Sequence, residues 1–360
     1  MIDLLAQGFA PNLDLRSKWL MGIVVGALGI MYLVAVVLRK QRPPGIDAAI
    51  VQVFERRVRA WWMMSAILVC SFLPNQRWLP VTLFGLISFW ALREYVTMTP
   101  TRRGDHRALF WVFFVFTPAQ YILVGLGVAY YPFYSIMIPV FASLLLPARI
   151  AITGDPKRFL ERSAKIQVGL LICVYSLSFA PALIDLRLQK VPPQTSTTSD
   201  DAVSDERSDS TTSADDAPVA SPEYETNEGL LFYFVLVVEL CNVFQFVWGK
   251  LMGRHIIAPL INTNRTWEGA IGGITSATIC GILLWFVTPF SLWGAACISM
   301  VTATMGFCGS MVMSAIKRDR GVSDYGTLVQ GHAGVLDRID AICFAAPVFY
   351  HLAPFFYSIG

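Results

Sequence analysis

A chain of 360 residues that is 55% hydrophobic, only 15% charged and of formal net charge +3, with a mean hydropathy of +0.55, lies outside the range of soluble globular proteins. Its seven cysteines, an odd number, all fall in apolar stretches and none has zinc spacing, so no disulfide framework is implied and buried packing thiols are expected.

A bilayer crossing takes about 20 apolar residues, and ten runs approach that length: residues 19–38, 61–73, 81–92, 109–129, 133–146, 166–184, 229–248, 271–287, 292–316 and 339–357. The first follows a polar-mixed stretch and is too long for a signal h-region, so it reads as a retained anchor. With ten spans, alternate loops (residues 39–59, 93–107, 149–165, 250–265 and 317–338) carry 22 of the 28 Lys and Arg residues. The positive-inside rule then places those loops in the cytoplasm and both termini outside it. The expected fold is an all-α polytopic membrane protein of about ten transmembrane helices, both termini non-cytoplasmic.

Residues 187–228 are the one compositional break. The stretch 191–228 is rich in Ser, Thr, Asp and Pro, with almost no large apolar side chain to bury, and predicts a disordered linker. It is either an acidic partner-binding tail or a solvated spacer. It divides a six-helix membrane region, residues 1–186, from a four-helix region, residues 229–360.

The chemistry-bearing residues concentrate in the second region. Glu239, Asn242 and Gln245 recur at i, i+3, i+6 on one stripe of an apolar helix, where polar groups either face a cavity or bond to a neighbouring helix. Gly249-x-x-x-Gly253 follows, a pattern of tight helix contact. Next comes Asn262-Thr-Asn-Arg-Thr-Trp-Glu-Gly269, in which Arg265, Thr266 and Glu268 are expected to open a helix, as phosphate contacts or as a capped interfacial turn.

The densest cluster spans Ser314 to Asp340. Ser314, Lys317 and Arg318 follow i, i+3, i+4 spacing, so one helix face presents a hydroxyl and two cations as it leaves the membrane. Gly321, Gly326, Gly331 and Gly334 punctuate the loop and leave room for backbone N–H groups to approach an anion. Asp337 and Asp340 sit three apart at the start of the last helix, with Arg338 between them. Hard carboxylate oxygens beside a basic, phosphate-sized site suit a polyphosphate and the Mg2+ that travels with it.

Taken together these segments resemble the CDP-diacylglycerol synthase (phosphatidate cytidylyltransferase) family of polytopic membrane enzymes. Ser314, Lys317, Arg318, Asp324, Gly331, His332, Gly334, Asp337, Arg338 and Asp340 fall on that family's signature at its spacing. The stretches 248–253 and 264–269 are similar to it as well, so that the likeness covers roughly residues 239–347. Five positions depart: Ser310 and Asn242 stand where aspartates are usual, Ser323 replaces a lysine, Ala333 a glycine and Gln330 a proline.

The resemblance implies a cytoplasm-facing site in an integral protein of the bacterial inner membrane, with CTP and phosphatidate as substrates. It implies Asp337, Lys317, Arg318, Asp324, Arg338 and His332 as the catalytic group. Ser314, Arg265, Thr266, Glu268, Gly331 and Gly334 would contact substrate. Mg2+, alone or with a second cation, would be held by Asp337, Asp340, Asn242 and Ser310. The lipid bilayer is a partner, nucleic acid is not, and a homodimer is compatible with the family. Because two usual aspartates are replaced, the alternative is a catalytically impaired relative that binds lipid or nucleotide as a membrane scaffold.

Overall fold

A computed structural model describes residues 76–98, 102–188, 229–322 and 334–359, with residues 65–72, residues 225–226 and scattered positions from 22 to 62. Among the described residues seven helices are long and apolar enough to cross a membrane. They are α1 (Trp78–Met98), α2 (His106–Leu126), α3 (Val128–Ala151), α4 (Phe159–Asp185), α5 (Gly229–Leu251), α7 (Leu292–Asp319) and α8 (Leu336–Ile359). Six of them contain one of the expected runs whole, and α2 holds the run at 109–129 as far as Leu126. Between α5 and α7, α6 (Trp267–Leu283) occupies the run at 271–287 but has only 17 residues. The runs at 19–38 and 61–73 are helical where they are described and otherwise lie outside the described residues.

Most of the helices outrun the apolar stretches that announced them. The run at 81–92 grows into α1 because the backbone ladder continues through Arg93, Glu94 and Tyr95 after hydrophobicity has ended. In α3, Pro139 falls inside a π-helical turn, Met137–Ala142, and Pro147 inside the next α-helical turn. The ladder widens there and does not break: the Ser143 N–H bonds to Ile138 O, five residues back, and Ser143 Oγ donates to the same carbonyl at 3.1 Å. Thr117 does the same for Val112 in α2, at 2.8 Å.

One aromatic core joins the N-terminal and C-terminal helices. Tyr134 of α3, Phe179 of α4, Tyr233 and Phe234 of α5 and Phe349 of α8 are fully buried. Phe179 lies 5.2 Å from the Tyr350 ring, and Phe234 lies 5.1 Å from Phe349. Buried aromatics at such offset geometries contribute about 0.5–1.5 kcal/mol per pair beyond their area.

The all-α expectation meets two short strand pairs. β1 (Arg187–Leu188) runs antiparallel to β2 (Glu225–Thr226), so the two ends of the compositional break meet; residues 189–224 between them lie outside the described residues. β3 (Ile256–Ala258) pairs with β4 (Asn262–Thr266) in a hairpin between α5 and α6. The seven cysteines are free, but only Cys173, Cys241 and Cys343 are buried; Cys70 and Cys308 are exposed, in helices whose outward surface is itself largely apolar.

The basic loops gather at one end of the bundle. There Arg102 meets Asp155 at 2.7 Å, and Arg162 of α4 is buried against Asp105. At the other end Arg77 meets Asp185 at 3.2 Å, and Asp185 accepts from the backbone N–H of Val128 at 2.6 Å.

Candidate functional site

At the basic end, the last turns of α7, the first turns of α8, the β3–β4 hairpin and one face of α5 converge. α7 ends where its apolar run gives way to Ser310, Ser314, Lys317 and Arg318, one to two turns apart on a shared face. Lys317 Nζ reaches across to Asp337 Oδ1 at 2.7 Å, and the two side chains retain only 18% and 9% of their exposure. One turn deeper, Ser310 Oγ donates to Asp340 Oδ2 at 3.1 Å, and the Ala341 N–H donates to the other carboxylate oxygen at 2.7 Å. The serine at the usual aspartate position therefore has an acidic neighbour, supplied by the next helix. Gly309 makes this approach close: a Cβ there would sit 2.8 Å from Asp340 O and from Phe344 Cβ.

Arg265 enters from the hairpin. It belongs to β4, so the expectation that it opens a helix is corrected: the chain is extended through Thr266, and α6 starts at Trp267. The strand is polar on both faces, and β pairing with Ile256–Ala258 decides its conformation. Arg265 Nη1 donates to Gln245 Oε1 on α5. Burial pulls the guanidinium down from its ordinary range, and the nearby Asp340 carboxylate opposes that shift. Gln245 also donates from Nε2 to Cys241 Sγ, 3.0 Å. Asn242 lies on the same helix one turn from Gln245 and is half-buried, as is Glu239.

Thr266 and Glu268 build the hairpin–helix joint. Thr266 Oγ1 accepts from the Gly269 N–H at 3.2 Å and so caps α6. The Glu268 carboxylate accepts from the Arg254 N–H at 3.1 Å, the His255 N–H at 3.2 Å and His255 Nδ1 at 2.5 Å. The His255 contact is the chief cause, and with the backbone donors it holds the Glu268 carboxyl at about 2. Its oxygens are thus committed to the loop. The joint is pressed onto α5 through glycines: a Cβ on Gly269 would lie 3.0 Å from Gly249 Cα, and one on Gly273 would lie 2.3 Å from Gln245 Cγ. The GxxxG pattern at 249–253 marks this contact.

Two bonds pin the hairpin to α7. Arg318 Nε donates to Ile261 O at 3.1 Å. Asn262 Nδ2 donates to Ser314 Oγ at 3.2 Å, while Ser314 Oγ donates to Ser310 O at 2.7 Å. Gly334 is buried at the foot of α8, and Arg338 is half-buried in its first turn. Asp324, Gly331 and His332 lie outside the described residues.

One residue at this site was not expected. Glu94, near the end of α1 and 6% exposed, accepts from the backbone N–H groups of Val335 (3.1 Å) and Leu336 (2.9 Å), 241 and 242 residues away. It caps the helix that carries Asp337 and Asp340. The signal was present in two parts: a carboxylate just past an apolar run, and a helix start, Gly334-Val335-Leu336, with no Ser, Thr, Asp or Asn to cap it.

The chain is similar over most of its length to a protein named "Uncharacterized protein YnbB" from Escherichia coli (strain K12), at 31% identity over 298 residues, 82% of this chain and 85% of that one. It is 37% identical over 120 residues to a phosphatidate cytidylyltransferase of Staphylococcus haemolyticus, covering 33% of this chain and 46% of that protein. A phosphatidate cytidylyltransferase of Staphylococcus aureus (strain COL) matches at 35% over 130 residues, 35% of this chain and 50% of that protein. The match thus spans about half the length of those named enzymes. A model of the cytidylyltransferase family covers residues 55–356, nearly the whole of the described fold and all of its converging polar groups, and the chain belongs to the cytidylyltransferase family.

Proposed function

We propose that this protein is a membrane CTP:phosphatidate cytidylyltransferase. A phosphate oxygen of phosphatidate attacks the α-phosphorus of CTP, the bond from that phosphorus to the bridging oxygen breaks, pyrophosphate leaves and CDP-diacylglycerol stays in the leaflet. The observation that carries this reading is the meeting of cations, hydroxyls and carboxylates from α7, α8 and the hairpin at the basic end of an apolar bundle. A lipid headgroup at that end would lie beside the groups that hold the nucleotide.

Lys317, Arg318 and Arg338 serve as charge-assisted donors to the phosphates, with Ser314 beside them. Arg265, held by Gln245, keeps a positive charge at the back of the site. Catalysis rests on positioning and charge neutralisation, with no protein nucleophile. Mg2+ fits the donors present: Asp337, Asp340 and the Ser310 hydroxyl offer hard oxygens, with Asn242 one helix away. Among the described residues no three His, Cys, Asp or Glu side chains gather as a metal cage. That suits an ion which arrives on a triphosphate, takes one or two carboxylates and keeps its waters. When bound, it would neutralise charge on the phosphates. Asp324, His332 and Gly331 keep the roles the family likeness gives them. Thr266 and Glu268 act one step back, by fixing the hairpin.

The membrane placement belongs to the same proposal: ten spans, both termini outside, and the basic end facing the cytoplasm of a bacterial cell, where CTP is found. The clustering of the described basic loops at one end supports it. The neutral Ser310 and Asn242 favour a second reading, a membrane protein that binds phosphatidate or nucleotide without turnover.

The test is transfer of labelled CMP from CTP to phosphatidate by the purified protein in lipid with Mg2+, beside Asp337→Ala. Label should enter the lipid with wild type, and the variant should fall by on the order of a hundredfold or more. No label from folded, bilayer-embedded wild type would overturn the transferase reading in favour of the second.

A further inference from the structure

The apolar surface of the bundle does not stop at the ends of its helices. On α6 the exposed large side chains are Trp267 and Ile271, one turn apart on one face beside the hairpin, and Ile279 and Leu283, one turn apart further along. On α5 the exposed Val247 and Leu251 approach the same end one turn apart. Both apolar faces run into the β3–β4 hairpin, which exposes Ile256 and, at its turn, Leu260 at 93%, with Met252 exposed in the link that precedes it. From Lys250 to Trp267 the chain holds Lys250, Arg254, His255 and Arg265 and no acidic residue. The acidic group beside this segment, Glu268, is spent on the backbone and ring of His255.

A single exposed leucine is ordinary on a surface in water; here Leu260 continues two exposed apolar helix faces into one patch. Apolar side chains flanked by cations, at the level where membrane helices end, match the boundary between acyl chains and anionic headgroups. The occupant is a leaflet and not a second polypeptide, because the patch is continuous with the exposed apolar side chains of α5, a helix long and apolar enough to cross a membrane, and of α6 beside it.

We propose that the β3–β4 hairpin is an interfacial foot. It lies in the headgroup layer of the leaflet at the basic end, with the Leu260 side chain turned toward the acyl chains and Lys250 and Arg254 over anionic headgroups. Its bonds to Ser314 and Arg318 then fix the phosphate-handling end of α7 at headgroup depth, where a phospholipid substrate carries its phosphate. The foot rests on the membrane placement of α5 and α6 and not on the cytidylyl-transfer reading.

Leu260→Cys in the full-length protein, in vesicles of phosphatidylcholine and phosphatidylglycerol, is exposed to a charged, water-soluble maleimide. Lys157→Cys, in the exposed loop after α3 at the same end, is the aqueous control, and wild-type labelling is subtracted for the native cysteines. A thiol sunk among lipids forms little thiolate and meets little reagent, so Leu260→Cys should label about tenfold more slowly than Lys157→Cys. Both should label equally after solubilisation in SDS. Equal rates in vesicles would overturn the foot. So would protection that disappears when the protein is diluted in lipid, or a disulfide between two Leu260→Cys copies, since either assigns the patch to a second copy of the chain. The readout does not depend on turnover, so an inactive protein with a buried position 260 would refute the transferase and keep the foot.

Discussion

Glu94 can be tested as the clamp on the site helix. The two hydrogen bonds it accepts from Val335 and Leu336 are charge-assisted, at 3.1 and 2.9 Å, and its side chain is 6% exposed. Bonds to charged groups contribute about 1.5–3 kcal/mol each, and a buried donor left without its acceptor costs about 1–3 kcal/mol. A carboxylate on a helix N-terminus adds up to about 2 kcal/mol when partly buried. These values are not additive, so Glu94→Ala should weaken the first turn of α8 by about 3–4 kcal/mol. Glu94→Gln keeps one carbonyl oxygen and turns an NH2 toward the second donor, for about half that loss. A weakening of 3 kcal/mol raises the opened population of that turn by roughly a hundredfold. The assay is hydrogen–deuterium exchange of the segment 334–342 in lipid, read beside cytidylyl transfer. Exchange should speed up in the order wild type, Glu94→Gln, Glu94→Ala, with activity falling in the same order and the rest of α8 protected. If those amides exchange at the wild-type rate in Glu94→Ala, the capping argument is wrong, whatever happens to activity.

Gly273→Ala should force α5 and α6 apart, because its Cβ would sit 2.3 Å from Gln245 Cγ and 2.8 Å from Gln245 N. Overpacking of this kind costs about 1–3 kcal/mol, so the midpoint of thermal unfolding should drop; an unchanged midpoint would mean the helix contact is looser than it looks. Glu268 gives a pH prediction. Its carboxyl is held at about 2 against an ordinary 4.5, so its contribution is complete above 4.5 and is lost as pH falls from there through about 2. Protection of the hairpin amides, taken relative to their intrinsic exchange rate at each pH, should therefore fall across that window in wild type and lose this pH dependence in Glu268→Gln; matching profiles would remove Glu268 from the joint.

The part of the fold that could be read in advance is the part governed by local composition. Runs such as 229–248 and 292–316 became α5 and α7 because lipid leaves a backbone no alternative to its own ladder. Spacing within one helix was equally legible: Ser314, Lys317 and Arg318 share a face because 3.6 residues make a turn. The β3–β4 hairpin was not legible, since Asn262–Thr266 has neither alternation nor β-branched runs to announce a strand, and its conformation is decided by a partner across a tight turn. Glu94 escaped for a related reason. A cap normally sits beside the helix it serves, and this one comes from a different helix at the far end of the sequence.

Composition was also silent on how the charges divide. Ser314–Asp340 reads as a store of cations for phosphate and carboxylates for metal, yet the folded site has already paired them. Lys317 holds Asp337, Ser310 donates to Asp340, and Arg265 lies within electrostatic reach of Asp340. Like charges packed at this density without pairing would repel by amounts comparable to the stability of a domain, so pairing is what lets these charges gather at the end of an apolar bundle. In the proposed reaction the same pairing couples the two ligands. A divalent cation held by Asp337 would leave Lys317 for a phosphate, and a phosphate held by Lys317 would leave Asp337 for the cation. Nucleotide and metal would then bind more favourably together than either alone, the coupling resting on the ion pair between α7 and α8, whose helix start is capped by a glutamate from α1.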